Sequence, residues 1–300
     1  MKKKITLIDG ITMFVLMAMC IAVIVSAFLV EARVVKADEG TDIIPYTREV
    51  GSGTRGAFIS MTDLANVNFW GKVTDATSED IAIIGSSEEM IQQVANTPNS
   101  LGYVSYAVEK DSQMVKTLKV NGVEPTIENI KNEAYPLVRT FQLVYQGERS
   151  ELQKDFLQYV KSEGQGYIEQ YCVPARNQGI YLPNGAEGSL KISGSTSMTP
   201  MMQVLAAGYM EANPKAHVEV VSSDSESGMR DVLKGDSDFG MMSRDLKDYE
   251  ETVLSSERIG RDAIAIIVNN ENEEYNITVS QLNKIYKQSL TSWEYLSVYE

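Results

Sequence analysis

The sequence predicts an α/β protein carried behind one long apolar segment. Three observations lead there. Residues 11–30 contain no charge, the rest alternates short apolar strands with helix-period stretches, and Gly-Ser-Thr loops stand between strand and helix.

The apolar run reads ITMFVLMAMCIAVIVSAFLV. At about 1.5 Å per residue it spans roughly 30 Å, the thickness of a hydrocarbon core. The preceding residues 1–10 hold Lys2, Lys3 and Lys4 against Asp9 alone, a basic flank that belongs on the cytoplasmic side. The expectation is a single-pass anchor in the cell membrane with the C-terminal domain outside. A cleaved signal ending at VVKA, after Ala37, is the alternative, but signal cores are shorter. Cys20 follows Met19 rather than a small residue, so it reads as membrane packing and not as a lipid-modified cysteine. Residues 31–41 form a polar stalk.

Beyond it, DIIPYTREV reads as a strand turning at Gly51, and TRGAFISMTDLA as a helix. IAII suggests a buried strand, SSEEMIQQVAN a helix opened by Ser87, and LGYVSYA another strand. MVKTLKVNGVEPT is a strand with a turn at Asn121-Gly122, YPLVRTFQLVYQ alternates as a strand, and residues 150–171 are largely helical. Residues 176–189 carry Pro183 and three glycines, the composition of a linker. The alternation then restarts. LKISG, AHVEVVS, DFGMM and AIAIIVNN are strands; SMTPMMQVLAAGYMEA, ESGMRDVLKG and TVSQLNKIYK are helices. The two segments, 42–175 and 190–296, are not copies of each other.

Charge and composition exclude some functions. Lys plus Arg number 27 against 41 Asp plus Glu, a net charge of −14, which argues against nucleic acid. With one cysteine in the apolar run and one at Cys172, no disulfide forms within the folded part. No metal-ligand spacing occurs and no cofactor is expected. His217, the one histidine, sits on an alternating strand, which speaks against a Ser-His nucleophile.

Three segments run from glycine and hydroxyl residues into a helix: REVGSGTRGAF, SGSTSMTPMM and SSDSESGMRDVL. Glycine lets the backbone approach a ligand, and hydroxyls with free N–H groups at a helix start donate toward one point, where the dipole favours an anion. A single such loop is usually just a cap; three in one chain suggest a site.

These stretches carry a resemblance. REVGSGTRGAF and the later LGYVSYA resemble the C-terminal half of the phosphate-binding proteins of phosphate-specific ABC importers, in the periplasmic binding protein superfamily. GSTSMTP, SSDSESG, DFGMMSRDLK and QLNKIY with TSW resemble their N-terminal half. The order is reversed, since the Trp293 motif, which in the family leads into R-x-x-G-S-G-T, here ends the chain. The resemblance implies a two-lobed type II fold, circularly permuted, or else a tandem ancestor that lost its outer quarters. It implies a monomer that binds inorganic phosphate and meets ABC permease subunits in the membrane, with no enzymatic activity. Another oxyanion such as sulfate or molybdate, a phosphate sensor or accessory protein, and a remnant without a complete site are the alternatives.

By motif, the resemblance implies phosphate donors at Arg48, Ser52, Gly53 and Thr54 from one loop. From the other half come Ser197, with Thr196 beside it, the Met198 backbone, Ser225 and Ser243. Two departures stand out. Many relatives have an aspartate at Ser243 and an acid at Val50, where it would hold the arginine; Glu49 is the substitute available here. An expected outcome concerns the anchor: N-terminal sequencing of the membrane-extracted protein should start ahead of Ile11, and a start at Asp38 overturns the retained anchor.

Overall fold

A computed structural model describes residues 41–67, 73–176 and 179–299, so the expected anchor at 11–30 lies outside the described residues. Among the described residues no helix is long and apolar enough to cross a membrane.

The first segment begins with β1 (Ile44–Arg48) and α1 (Gly53–Met61), followed by a hairpin of β2 (Ala65–Val67) and β3 (Val73–Asp75). Next come β4 (Ala82–Ile84), α2 (Ser87–Ala95), β5 (Ser100–Ser105) and the short α3 (Tyr106–Glu109). β6 (Lys116–Val120) ends in a turn where Asn121 and Gly122 both take positive φ, as an Asn-Gly pair allows. α4 (Ile127–Lys131) then leads into β7 (Val138–Tyr145). The helical stretch 150–171 is two helices, α5 (Glu151–Val160) under a Ser150/Gln153 capping box and α6 (Gly164–Ile168). After β8 (Val173–Pro174) the second segment runs β9 (Gly188–Ser195), α7 (Thr199–Ala212), β10 (Ala216–Ser223), α8 (Ser225–Lys234), β11 (Phe239–Met242) and α9 (Asp248–Glu251). It closes with β12 (Ser255–Val268), β13 (Asn276–Ile277), α10 (Val279–Tyr286) and a 3-10 turn, Trp293–Tyr299.

The strands join in the order β10-β9-β11-β7-β12-β5-β1-β4. Each end of this path is a parallel block, β10-β9-β11 and β5-β1-β4, as strand–helix–strand connections require. The antiparallel β7 and β12 join the blocks. This makes two lobes. In the β9 lobe, α5 and α7 bury Phe156, Met201, Leu205 and Tyr209 against Ile192 and Phe239. In the β1 lobe, α1 and α10 bury Phe58, Leu282 and Tyr286 against Tyr103, Leu118 and Ile266, with the Phe58 and Tyr103 rings stacked at 4.0 Å.

β12 and β7 serve both cores. Ile259 and Phe141 belong to the first core; Ile264 belongs to the second, and Val138 packs against it. β12 pairs with β7 up to Ala263, then changes partner to β5 from Ile264 onward. The sequence reading began this strand at AIAIIVNN; the polar SSERIGRD ahead of it is strand as well, because its β7 and β8 neighbours satisfy its backbone.

Two other expectations are corrected. IAII is an edge strand with Ala82 and Ile83 exposed, since β4 has β1 on one side only among the described strands. The stretch after β8 is not wholly exposed. Tyr181 is buried and its hydroxyl donates to Asp155 Oδ2 at 2.7 Å, while the Asn184 N–H donates to Oδ1 at 2.8 Å.

α8 lies unusually close to β9. A methyl placed on Gly228 would stand 2.6 Å from the Ser193 carbonyl oxygen, and one on Gly194, where φ is +130°, would meet the Met241 carbonyl oxygen at 2.6 Å. Both obstacles are backbone, so relief requires moving an element. Gly228→Ala should therefore lower stability by about 1–3 kcal/mol, read as a lower midpoint in chemical denaturation. An unchanged midpoint would show that α8 tolerates a wider spacing.

Candidate anion site

The two loops that the sequence sets about 150 residues apart meet face to face. β1 ends at Arg48, and Gly51 takes φ +96°, so the chain turns sharply into α1 with Ser52 as its cap. Ser52 Oγ accepts the Arg55 N–H at 3.3 Å. The N–H groups of Gly53 and Thr54 open the helix and have no carbonyl of their own helix to reach. In the β9 lobe, the chain leaves β9 at Ser195, passes Thr196 and Ser197, and enters α7.

Contacts between these loops are direct. Arg48 Nη2 donates to Thr196 Oγ1 at 3.1 Å, and Thr54 Oγ1 lies 2.8 Å from Ser197 Oγ. Gly53 backs onto Ser225 and Ser243: a Cβ there would stand 2.3 Å from one hydroxyl oxygen and 2.5 Å from the other. Ser225 Oγ accepts the Ser243 N–H at 3.3 Å, and Ser243 Oγ accepts from Ser195 Oγ at 2.8 Å. Ser52, Thr54, Ser197, Ser225 and Ser243 are all buried. The one sequence-expected donor that is engaged elsewhere is the Met198 N–H. It closes a turn onto the Ser195 carbonyl at 3.0 Å, which takes it away from a ligand.

Arg48 is 1% exposed and clamped from behind. Glu49 accepts from its Nε and Nη2, both at 2.8 Å, in the bidentate arrangement that suits a guanidinium, so Glu49 fills the role left open by the exposed Val50. Arg48 Nη1 donates to Ser87 Oγ at 3.1 Å. Behind β1, the Tyr103 hydroxyl accepts the Arg48 N–H at 3.1 Å; burial pushes this phenol up to about 12, against the opposing pull of that bond and of Thr47.

Four participants escaped the reading of the sequence. Ser87 looked like a helix cap, whereas Ser86 is the cap and Ser87 lies 3.4 Å from Ser197. Ser195 stood in the SGSTSMTPMM loop but was not named among the donors. Arg139 and Asp262 sit directly opposite each other on β7 and β12, joined through Arg139 Nη2 and Nε to Asp262 Oδ2 at 2.8 and 3.0 Å. Arg139 Nη1 then reaches Thr54 Oγ1 at 2.8 Å and the Ser243 carbonyl at 3.2 Å, one from each lobe. Burial pulls this guanidinium below the usual arginine range, and Asp262 opposes that pull. An arginine inside the otherwise apolar alternation of YPLVRTFQLV was the available signal.

α1, α2, α7 and α8 all begin at this cluster. Each helix start carries about half a positive charge, so four of them with two buried guanidiniums create a potential that suits a compact anion. Among the described residues no group of acidic, His or Cys side chains could hold a metal ion.

A profile of the PBP superfamily domain matches residues 32–163 and 182–298. The chain belongs to the PBP superfamily. Within it, the chain is 34% identical over 255 residues to phosphate-binding protein PstS 2 of Streptococcus agalactiae, covering 84% of this chain and 86% of that one. The crystal structure of a phosphate ABC transporter, phosphate-binding protein from Streptococcus pneumoniae superposes with a TM-score of 0.69 at 31% identity, covering 85% of this chain and 99% of that one. The phosphate-binding protein PstS of Bacillus subtilis is 28% identical over 114 residues, which are 37% of this chain and 38% of that one. Like that solved structure, this superfamily member has two α/β lobes.

The closeness of the loops is itself testable. Gly53→Ala should push Ser225 and Ser243 away and weaken oxyanion binding by roughly ten- to a hundredfold, the equivalent of about 1–3 kcal/mol of overpacking, measured by calorimetric titration. Wild-type affinity in this variant would show that the two sides need not touch.

Proposed function

We propose that this protein captures inorganic phosphate outside the cytoplasm and presents it to the membrane subunits of an ABC importer. The observation that carries the reading is the convergence of Arg48, Thr54 and Gly53 with Thr196, Ser197, Ser225 and Ser243 across the two lobes. The names of the streptococcal relatives, matched over most of both chains, supply the ligand and the importer. The site is one for binding rather than reaction: its hydroxyls lack a histidine partner, His217 being exposed on the edge strand β10.

Phosphate would enter between the lobes and be held by neutral donors together with the Arg48 guanidinium. Closure is a rotation about the two strands that cross between lobes, the hinge motion of bilobal binding proteins. The anchor at residues 11–30 would keep the domain tethered on the outer face of the membrane, as a monomer. The acidic surface does not oppose this function, because the ion responds to the local field of a dry site rather than to a screened distant charge.

The reversed order of the halves is read as a circular permutation. The Ile43 N–H donates to the Thr291 carbonyl at 2.7 Å, so the residue before β1 lies beside the segment that follows α10, a closeness that a permutation of the family order requires. Surface sites with neighbouring termini are where such rearrangements succeed. The Bacillus subtilis match, confined to little more than a third of each chain, is what two halves in opposite order would produce. With both halves in one chain, every donor comes from this polypeptide.

Calorimetric titration with phosphate tests the site. Arg48→Ala should weaken binding by roughly ten- to a hundredfold, since hydrogen bonds to a charged group contribute about 1.5–3 kcal/mol. Ser197→Ala should cost less, and the double variant should lose less than the sum, because both groups act on one ion. Phosphate binding indifferent to Arg48→Ala would remove the basis for the assignment.

A further inference from the structure

The three glycines of GSGTRG all stand against the opposite lobe, but only Gly53 does so at anion donors. A Cβ on Gly51 would lie 2.6 Å from Asp224 Oδ1, and one on Gly56 would lie 3.0 Å from Arg244 Cδ. The first approach is also bonded. The Glu226 N–H, in the first turn of α8, donates to the Gly51 carbonyl at 3.1 Å. The turn that carries Arg48 is therefore tied to the other lobe by a hydrogen bond in which no cradle donor takes part.

Arg244 is fixed from its own side. Glu250 accepts from its Nη1 and Nη2 at 2.7 and 2.8 Å, and the Asp245 carbonyl accepts from Nη1 at 2.9 Å. Gln142 of β7 donates to the Arg244 carbonyl at 2.8 Å. Arg244 and Glu250 are both buried, and a guanidinium gripped by a carboxylate in this bidentate way has little room to step aside. It thus meets the bare backbone of α1 at Gly56 as a fixed stop. Gly51, Gly56, Glu226 and Arg244 line one cleft of about 620 Å³, which Ser52 and Arg139 of the cradle also border.

Resting on the phosphate reading above, we infer that Arg244 is a positioning residue for ligand retention. Packed on Gly56, it sets α1 at the spacing where the Gly51 carbonyl reaches the Glu226 N–H, and this latch holds the lobes together without touching the ion. α1 belongs to one lobe, α8 and Arg244 to the other, so rotation about β7 and β12 breaks both contacts at once. The apparent affinity of such a protein scales with the population of its binding-competent form, so contacts made only between closed lobes add to affinity. Their effect falls mainly on the rate of release.

The test is Gly56→Leu in the purified full-length protein, read by amide exchange over residues 224–227 and by release of labelled phosphate. The new side chain wedges α1 away from Arg244, yet replacing a glycine inside a helix favours the helix, so the unfolding midpoint should hold or rise. At one phosphate concentration, exchange over 224–227 should quicken while the two cores exchange as before. Phosphate should leave about tenfold faster, on the order of one lost hydrogen bond, with association changed less. Gly56→Ala, a shorter wedge, should move both readings the same way by less, and it carries the test should Gly56→Leu not fold. Adding Arg244→Gln and Glu250→Gln to Gly56→Leu should recover part of the loss, because the obstacle is then free to move. Wild-type exchange or wild-type release in a folded Gly56 variant overturns this inference and leaves the phosphate reading standing. A folded wild type that binds no phosphate overturns both.

Discussion

The buried pair of Arg139 and Asp262 is the constraint on which the arrangement rests. The two residues face each other across β7 and β12, where both strands pass from one hydrophobic core to the other. Removing two charges from water is expensive, and a lone survivor would cost about 3–5 kcal/mol, so the pair persists only with its bonds complete. Completing them ties the site together. Asp262 also accepts from Ser105 at the end of β5 and from the Ala107 N–H, and Arg139 has donors left for Thr54 on one lobe and the Ser243 carbonyl on the other. The post that joins the lobes is thus also the back wall of the cradle.

Electrostatics in the cradle is layered. Helix N-termini and hydroxyls form the inner surface, guanidiniums stand behind them, and Glu49 and Asp262 stand behind the guanidiniums. Each arginine is matched by its own acid, so the cradle holds no unbalanced buried charge, which a dry interior would not tolerate. The attraction for an anion comes from the inner layer of oriented dipoles together with the guanidiniums behind it. A net charge of −14 on the whole chain is compatible with this, because field strength within a few ångströms is set by the nearest donors.

The order of segments along the chain matters less than their neighbours in space. Ile43 and Thr291 are hydrogen bonded, and the Trp293 indole donates to the Asn99 carbonyl, so the end of the chain packs beside its folded beginning. Three of the site loops need only a strand that delivers glycine and hydroxyls to a helix start, and that is a local requirement met within about ten residues. The connection after β8 carries none of the site. It needs only to be held down, and Asp155 does so through Tyr181 and Asn184.

By itself the sequence determined the layered α/β class and the loops that lead into α1, α7 and α8; the grouping of Arg48, Thr54, Thr196, Ser197, Ser225 and Ser243 came from the resemblance to the phosphate-binding proteins. The first two are local matters: periodicity marks strands and helices, and the need for glycine at Gly51 and Gly53 shows in the string. Glu49 was legible as a partner for Arg48 because it is adjacent. Tertiary structure alone decided that Arg139 and Asp262, 123 positions apart, oppose each other, since register across two antiparallel strands is set by side-chain packing on both faces. It decided likewise that Ser87 rather than Ser86 faces the site and that the Met198 N–H is spent in a turn. Direction, and not residue type, settles which of several hydroxyls and N–H groups meets a ligand, and direction comes from packing.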